Sequence, residues 1–140
     1  MIVLWRVTER CNHACGVCAY DRRLPGARRQ VDASHVRRLG RMLGDYRRAS
    51  GDRVLLSWLG GEPLLWPAVH ETSAWLRHEH DIAISATTNG STLHLPQVVR
   101  AIADTFAELT ISVDGLEDFH DRVRGCPGGW MRLRAGVQSL

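Results

Sequence analysis

Val54-Leu55-Leu56-Ser57-Trp58-Leu59-Gly60-Gly61-Glu62-Pro63 opens as a near-continuous apolar run and closes on a glycine-rich polar signature. A short apolar run bounded by a turn signal reads as a buried strand. Pro67, a favoured first-turn residue, then opens a helix to about His80. The same unit recurs on both sides. Residues 2–8 form an apolar, β-branched strand that runs straight into a cysteine-rich loop. Residues 22–31, with Pro25-Gly26, read as loop. Asp32 or Ser34 caps a helix over about 33–49, with Val36, Leu39, Leu43 and Tyr46 on one face and arginines opposite. Ile82 to Thr87 is a third strand ending in Thr88-Asn89-Gly90, and Pro96 opens a third helix with Val99, Ile102 and Phe106 on one face. Leu109 to Val113 is a fourth strand ending in Asp114-Gly115. A last helix begins near Gly129 or Trp130 and the chain stops within it at Leu140.

The order β-α-β-α-β-α-β-α predicts an α/β fold with a parallel sheet and helices outside it. Every polar or glycine-rich signature lies just past the C-terminal end of a strand, the edge at which parallel α/β folds bind ligands. Four strand ends therefore point to one rim.

Composition narrows the class. The 140 residues make one domain's worth of chain, and 44% hydrophobic with 24% charged residues is globular rather than disordered. No run approaches the ~18 apolar residues of a membrane span, and residues 1–10 lack a signal-peptide pattern, so the expected location is the cytoplasm. All 18 basic residues are arginine, which leaves no lysine for Schiff-base chemistry. Residues 1–50 are net +7 and residues 51–140 net −4. The basic half suits phosphates or acidic ligands, or is a solvated helix face and loop. It carries no recognisable nucleic-acid-binding motif.

Three of the four cysteines fall within eight residues, as Cys11-x3-Cys15-x2-Cys18, with Cys126 far away in Gly125-Cys126-Pro127-Gly128. Such close thiols in a cytosolic chain argue against disulfides. A structural zinc normally takes four protein ligands, often as two separated pairs. Three clustered thiols suit a site with one position open, and iron–sulfur clusters are held by such ligands. His13 stands between them without occupying a ligand position.

The spacing of Cys11, Cys15 and Cys18 after a first strand resembles the signature of the radical S-adenosylmethionine (SAM) superfamily. Further motifs of that family follow in order: Gly60-Gly61-Glu62-Pro63 after strand two, Thr88-Asn89-Gly90 after strand three, and Ser112-Val113-Asp114-Gly115 after strand four. His120-Asp121-Arg122-Val123-Arg124-Gly125 is similar to a segment typical of the peptide- and protein-modifying (SPASM-type) branch and of some cofactor-building relatives. The resemblance covers nearly the whole chain.

It implies a partial parallel (β/α) barrel of the TIM-barrel type, with about four βα units of an expected six, so that residues 1–140 read as a radical SAM core domain cut short at its C-terminal end. It implies that Cys11, Cys15 and Cys18 hold a [4Fe–4S] cluster whose free iron binds SAM, and that reductive cleavage of SAM yields a 5′-deoxyadenosyl radical that takes hydrogen from a substrate, by this branch a peptide or protein. Gly60, Gly61 and Glu62 would meet the methionine ammonium, with Pro63 fixing the turn. Ser112 and Asp114 would bond ribose hydroxyls or the methionine end, Arg124 the methionine carboxylate, and Asn89 the surroundings of the same ligand. His120 and Asp121 read as capping a helix or orienting a loop. The tryptophans Trp5, Trp58, Trp66, Trp75 and Trp130 suit core or rim packing. The partners implied are a flavodoxin- or ferredoxin-type reductant and a completing domain or chain.

Two features depart from the family pattern. The residue before the third cysteine, usually aromatic, is Val17, with Tyr20 as the candidate replacement for adenine stacking. The chain also ends after its fourth strand and one helix. The alternative to a radical SAM enzyme is a non-catalytic iron–sulfur- or SAM-binding module, or a zinc-binding relative, that needs a partner chain.

Overall fold

The computed structural model describes residues 1–18 and 26–140. Strands β1 (Ile2–Thr8), β2 (Leu55–Gly60), β3 (Ala83–Thr88) and β4 (Glu108–Ile111) form one parallel sheet in the order β1-β2-β3-β4. Helices α1 (Ala33–Ser50), α2 (Val69–His80) and α3 (Pro96–Thr105) connect successive strands, and α4 (Glu117–Arg124) and α5 (Gly129–Gln138) follow β4.

Strand alternation puts α1, α2 and α3 on one face. Val7, Leu56, Trp58, Ile84 and Ala86 share a core with Val36 and Leu43 of α1 and Val69 and Leu76 of α2, while Leu109 and Ile111 pack beside Ile102 of α3. The other face carries Ile2, Leu4 and Arg6 in register with Leu55, Ser57 and Leu59, then Ser85 and Thr87 in register with Glu108 and Thr110. Sequential strand order with one helical face is the arc of a barrel; a doubly wound sheet reverses its order midway. Trp58 is fully buried between Trp5 and Trp66, and its indole N–H donates to Ser73 Oγ at 2.9 Å, so the largest core side chain leaves no polar atom unpaired.

Local chemistry sets the ends of α1. Asp32 Oδ1 accepts from Ser34 N at 2.8 Å, and Gly51 closes the helix in the left-handed region. Its buried face differs from the expected one. Tyr46 is exposed and donates to Asp52, and the inward positions are Val36, Gly40, Leu43 and Gly44. A Cβ at Gly40 would stand 2.6 Å from the side chains of Leu76 and Trp75, and one at Gly44 would stand 2.4 Å from His80 Nδ1. Helix α1 lies too close to α2 for anything larger than glycine there.

Three other boundaries move. Pro63–Leu65 takes a 3-10 turn, so α2 starts at Val69, two residues after Pro67. Helix α3 ends at Thr105 with Phe106 as its C-cap, and Phe106 still packs on the cluster of Ile102, as expected. Helix α4 falls where no helix was expected, because eight mostly polar residues carry too little apolar periodicity to announce one. Among the described residues, no helix is long and apolar enough to cross a membrane.

Candidate functional site

The cysteine loop leaves the end of β1, where the pairing slips: Arg6 faces Leu59 but Thr8 faces Gly60. This bulge turns the chain out of the sheet at the rim. Three segments hold the loop that follows. On one side residues 29–31 return antiparallel, with Val31 N donating to Val7 O at 2.8 Å and Glu9 N to Arg29 O at 2.9 Å. On the other, Gly61 N donates to Thr8 O at 2.7 Å and Glu62 N to Arg10 O at 2.8 Å. A Cβ at Gly60 would lie 2.2 Å from Thr8 O and one at Gly61 2.3 Å from Arg10 O. The two glycines are thus required by the backbone that carries the cysteines, before any ligand is considered.

The third hold comes from the end of α4. The carbonyl of Arg124 accepts from Ala14 N at 3.1 Å and from the Cys15 thiol at 3.6 Å. Gly125 sits beneath it at φ 56°, and a Cβ there would be 2.6 Å from Ala14 O. Helix α4 therefore shapes the loop as well as supplying Arg124.

Cys11, Cys15 and Cys18 line one pocket of about 210 Å³ at the C-terminal rim, together with Gly60, Gly61, Asn89, Ser112 and Arg124. Arg6, His13, Leu59, Thr87 and Thr88 complete the lining. Arg6 was legible from strand alternation, since Val3, Trp5 and Val7 on the core side leave it on the other. His13 gave no such signal. It is buried, and burial, then the Arg124 charge, depresses its imidazole to about 4, which keeps it neutral at pH 7.

Three expected ligand contacts take a different form. Glu62 is fully buried, and its carboxylate accepts from Leu64 N at 3.0 Å, Thr88 Oγ1 at 2.8 Å and Asn89 N at 2.7 Å. Burial pushes this carboxyl upward, against the pull of those donors. Its acceptor sites tie the ends of β2 and β3 together instead of facing the pocket. Pro63 is buried at the start of the 3-10 turn. Asp114 stands behind the pocket wall, where its carboxylate holds Arg124 Nε at 2.5 Å and its N–H points to His120 Nδ1 at 3.5 Å.

Asn89 directs its amide at Cys11 Sγ, 3.6 Å away, and at Asn12 Oδ1, 3.0 Å away. Asp121 accepts from Gly128 N at 2.5 Å and Trp130 N at 2.7 Å, binding the start of α5, while His120 is fully buried. Cys126 lies outside the pocket, its sulfur accepting from Arg132 Nη2 at 3.0 Å. Val17 is 86% exposed, and Tyr20 lies outside the described residues.

Burial raises the Cys11 and Cys15 thiols, with Arg124 pulling Cys15 back. Among the described residues, no three His, Cys, Asp or Glu side chains close on a single point as one metal ion requires. The three thiols stand around a shared space instead.

The profile of the Radical SAM superfamily matches residues 5–136. The chain belongs to this superfamily. Radical SAM proteins use a [4Fe–4S] cluster and SAM, so the thiol-lined pocket lies in a chain whose family works with those two groups. Two curated relatives are similar to this chain: the AdoMet-dependent heme synthase of Methanosarcina barkeri, 31% identical over 99% of this chain and 38% of its own length, and the pre-heme d1 synthase of Dinoroseobacter shibae, 30% identical over 99% and 33%. This radical SAM chain thus spans about a third of the length of these relatives. Among solved structures, anSMEcpe with bound AdoMet superposes with a TM-score of 0.75 at 18% identity, covering 99% of this chain and 38% of that one. That likeness concerns the fold.

Proposed function

We propose that residues 1–140 are the cluster- and SAM-binding part of a radical SAM core domain, with Cys11, Cys15 and Cys18 as the thiolate ligands. The observation that carries this is the meeting of three thiols, two glycine backbones and Arg124 in one rim pocket. When bound, the cluster and SAM supply one-electron cleavage of a sulfonium and hydrogen abstraction from the substrate.

The chain's own residues then have distinct tasks. Arg124, braced by Asp114, offers a charged fork to the SAM carboxylate. The polar backbone around Gly60 and Gly61 faces the ammonium, and Ser112 the ribose. Asn89 orients the Cys11 sulfur, and Glu62 with Pro63 keeps the rim in register. The reductant is a flavodoxin- or ferredoxin-type protein of the cytoplasm, and further barrel strands come from a longer chain or a partner.

For the substrate, the relatives favour a carboxylated tetrapyrrole over the peptide suggested by the His120–Gly125 segment. Both relatives named for heme products match across 99% of this chain, that segment included.

Anaerobic reconstitution with iron and sulfide, followed by EPR of the reduced protein, tests the site. About four irons per chain and a spectrum that shifts on adding SAM support it. Replacing Cys11, Cys15 or Cys18 with Ala abolishes the cluster, whereas Cys126→Ala keeps it. Equal loss from all four replacements, zinc in place of iron, or a cluster blind to SAM would overturn the assignment.

A further inference from the structure

Asn89 is held at both its main chain and its side chain. Its main-chain N–H donates to the buried Glu62 carboxylate at 2.7 Å, which fixes the residue just past the end of β3. Its Oδ1 accepts from Ser91 N at 2.9 Å, and this settles which way the amide faces. Nδ2 then has two protons to place and meets two acceptors, Asn12 Oδ1 at 3.0 Å and Cys11 Sγ at 3.6 Å. Asn12 Nδ2 in turn donates to Ser91 Oγ at 2.8 Å, so the clasp closes on itself. The main-chain N–H of His13 reaches the same sulfur at 3.4 Å. Cys11 therefore receives one main-chain donor, which survives any replacement of side chains, and one side-chain donor that depends on Asn89.

We propose that Asn89 is a tuning residue, whose hydrogen bond to the Cys11 sulfur raises the reduction potential of the iron–sulfur cluster that the three cysteines bind. The inference rests on the cluster reading above and goes beyond it, because holding a sulfur in place and setting its charge balance are separate tasks. Reduction adds one electron, delivered by the flavodoxin- or ferredoxin-type reductant, and no bond forms or breaks at Asn89. The added negative charge spreads onto the sulfurs, and an N–H aimed at one of them favours the more negative state. Asn89 is only 7% exposed, so water does not compete for its amide and the bond acts at low local dielectric.

The test is an EPR-monitored redox titration of the chain, Asn89→Ala and Cys126→Ala, each reconstituted with iron and sulfide and free of SAM. At a fixed potential Asn89→Ala should hold roughly 2- to 10-fold less reduced cluster than the unsubstituted chain, the range of one lost hydrogen bond, which is a midpoint about 20–60 mV lower. Cys126→Ala, outside the pocket, should titrate with the unsubstituted chain. A second measurement holds even if Asn89→Ala takes up no iron. Asn12 and Asn89 are the only asparagines in the sequence, so asparagine carrying the heavy nitrogen isotope in its side chain marks just these two amides. Pulsed EPR of the reduced chain should show coupling to the labelled nitrogen. Asn12→Asp, which keeps an oxygen for Asn89 Nδ2 and has no side-chain nitrogen, should retain that coupling. An unshifted midpoint in loaded Asn89→Ala, a shift shared by Cys126→Ala, no nitrogen coupling, or a coupling that vanishes in Asn12→Asp would each overturn the role of Asn89 and leave the cluster reading standing. If the unsubstituted chain takes up no cluster, that reading fails and this inference fails with it.

Discussion

A methyl group added at Gly61 would stand 2.3 Å from the carbonyl oxygen of Arg10, a backbone atom that cannot swing away. Gly61→Ala must therefore displace either the β2 rim or the cysteine loop, and overpacking of this kind costs about 1–3 kcal/mol. Gly51 makes a fair comparison. It adopts φ 74° at the end of α1 with nothing within 4 Å of an added Cβ, so Gly51→Ala meets backbone strain alone, about 1–2 kcal/mol. Urea unfolding should rank Gly61→Ala as the more harmful, and only Gly61→Ala should also lower iron uptake on reconstitution. Matching losses of stability and iron would mean that the tight contact at Gly61 does not shape the loop. Glu62 gives a second prediction at this scale. In Glu62→Gln one carboxylate oxygen becomes an amide nitrogen, which cannot accept from Thr88, Leu64 or Asn89. A buried donor left unpaired costs about 1–3 kcal/mol. Denaturant midpoints should show that loss, and an unchanged midpoint would remove Glu62 from the link between β2 and β3.

Between elements, the contact of α1 with α2 sets a sharper test. In an open helix Gly→Ala stabilises by up to about 1 kcal/mol. At Gly40 the added carbon would meet Leu76 and Trp75 at 2.6 Å, so Gly40→Ala should destabilise by about 1–3 kcal/mol. A stabilised variant in urea unfolding would show that the helices separate at no cost. The same contact shows what periodicity could and could not reveal. Val36 and Leu43 were legible because apolar spacing reports a buried face directly. Gly40 and Gly44 were not, because glycine is a breaker by propensity and marks close packing only when the neighbouring helix is known. Tyr46 misled for the converse reason: its ring fits an apolar stripe, yet its hydroxyl is satisfied outside, at Asp52. Helix α4 escaped notice because its purpose is tertiary. Gly125 and the Arg124 carbonyl grip Ala14 and Cys15, more than 100 residues earlier in the chain, and no local pattern encodes that.

Over the whole molecule, the alternation of apolar runs with amphipathic segments sufficed for the sheet order and the rim, since each parallel strand must deliver its C-terminal end to the same edge. What it could not resolve was which rim residues face the pocket and which brace those that do; Glu62 and Asp114 turn away only because buried donors and Arg124 claim their oxygens. The histidines extend this to a property of the entire fold. His70 lies half-buried on α2 beside Phe106, and burial depresses its imidazole; His80 at the end of α2 is depressed as well, by burial first and then by Arg48. In the unfolded chain both take up a proton near pH 6.5, whereas in the fold they resist until lower pH. Between those values the unfolded state binds more protons, so stability is complete above the unfolded value and is lost as pH falls through it toward the folded one. Glu62, raised by burial, acts in the opposite sense, losing stability as pH rises past the ordinary carboxylate range. His70→Leu separates the two contributions, because it removes one titrating ring from the α2 side and leaves Glu62 untouched. Urea midpoints of the chain and this variant at pH 8, 7, 6 and 5 should diverge, with the variant losing less between pH 7 and 5. Parallel curves would mean that burial at His70 exerts no hold on its protonation.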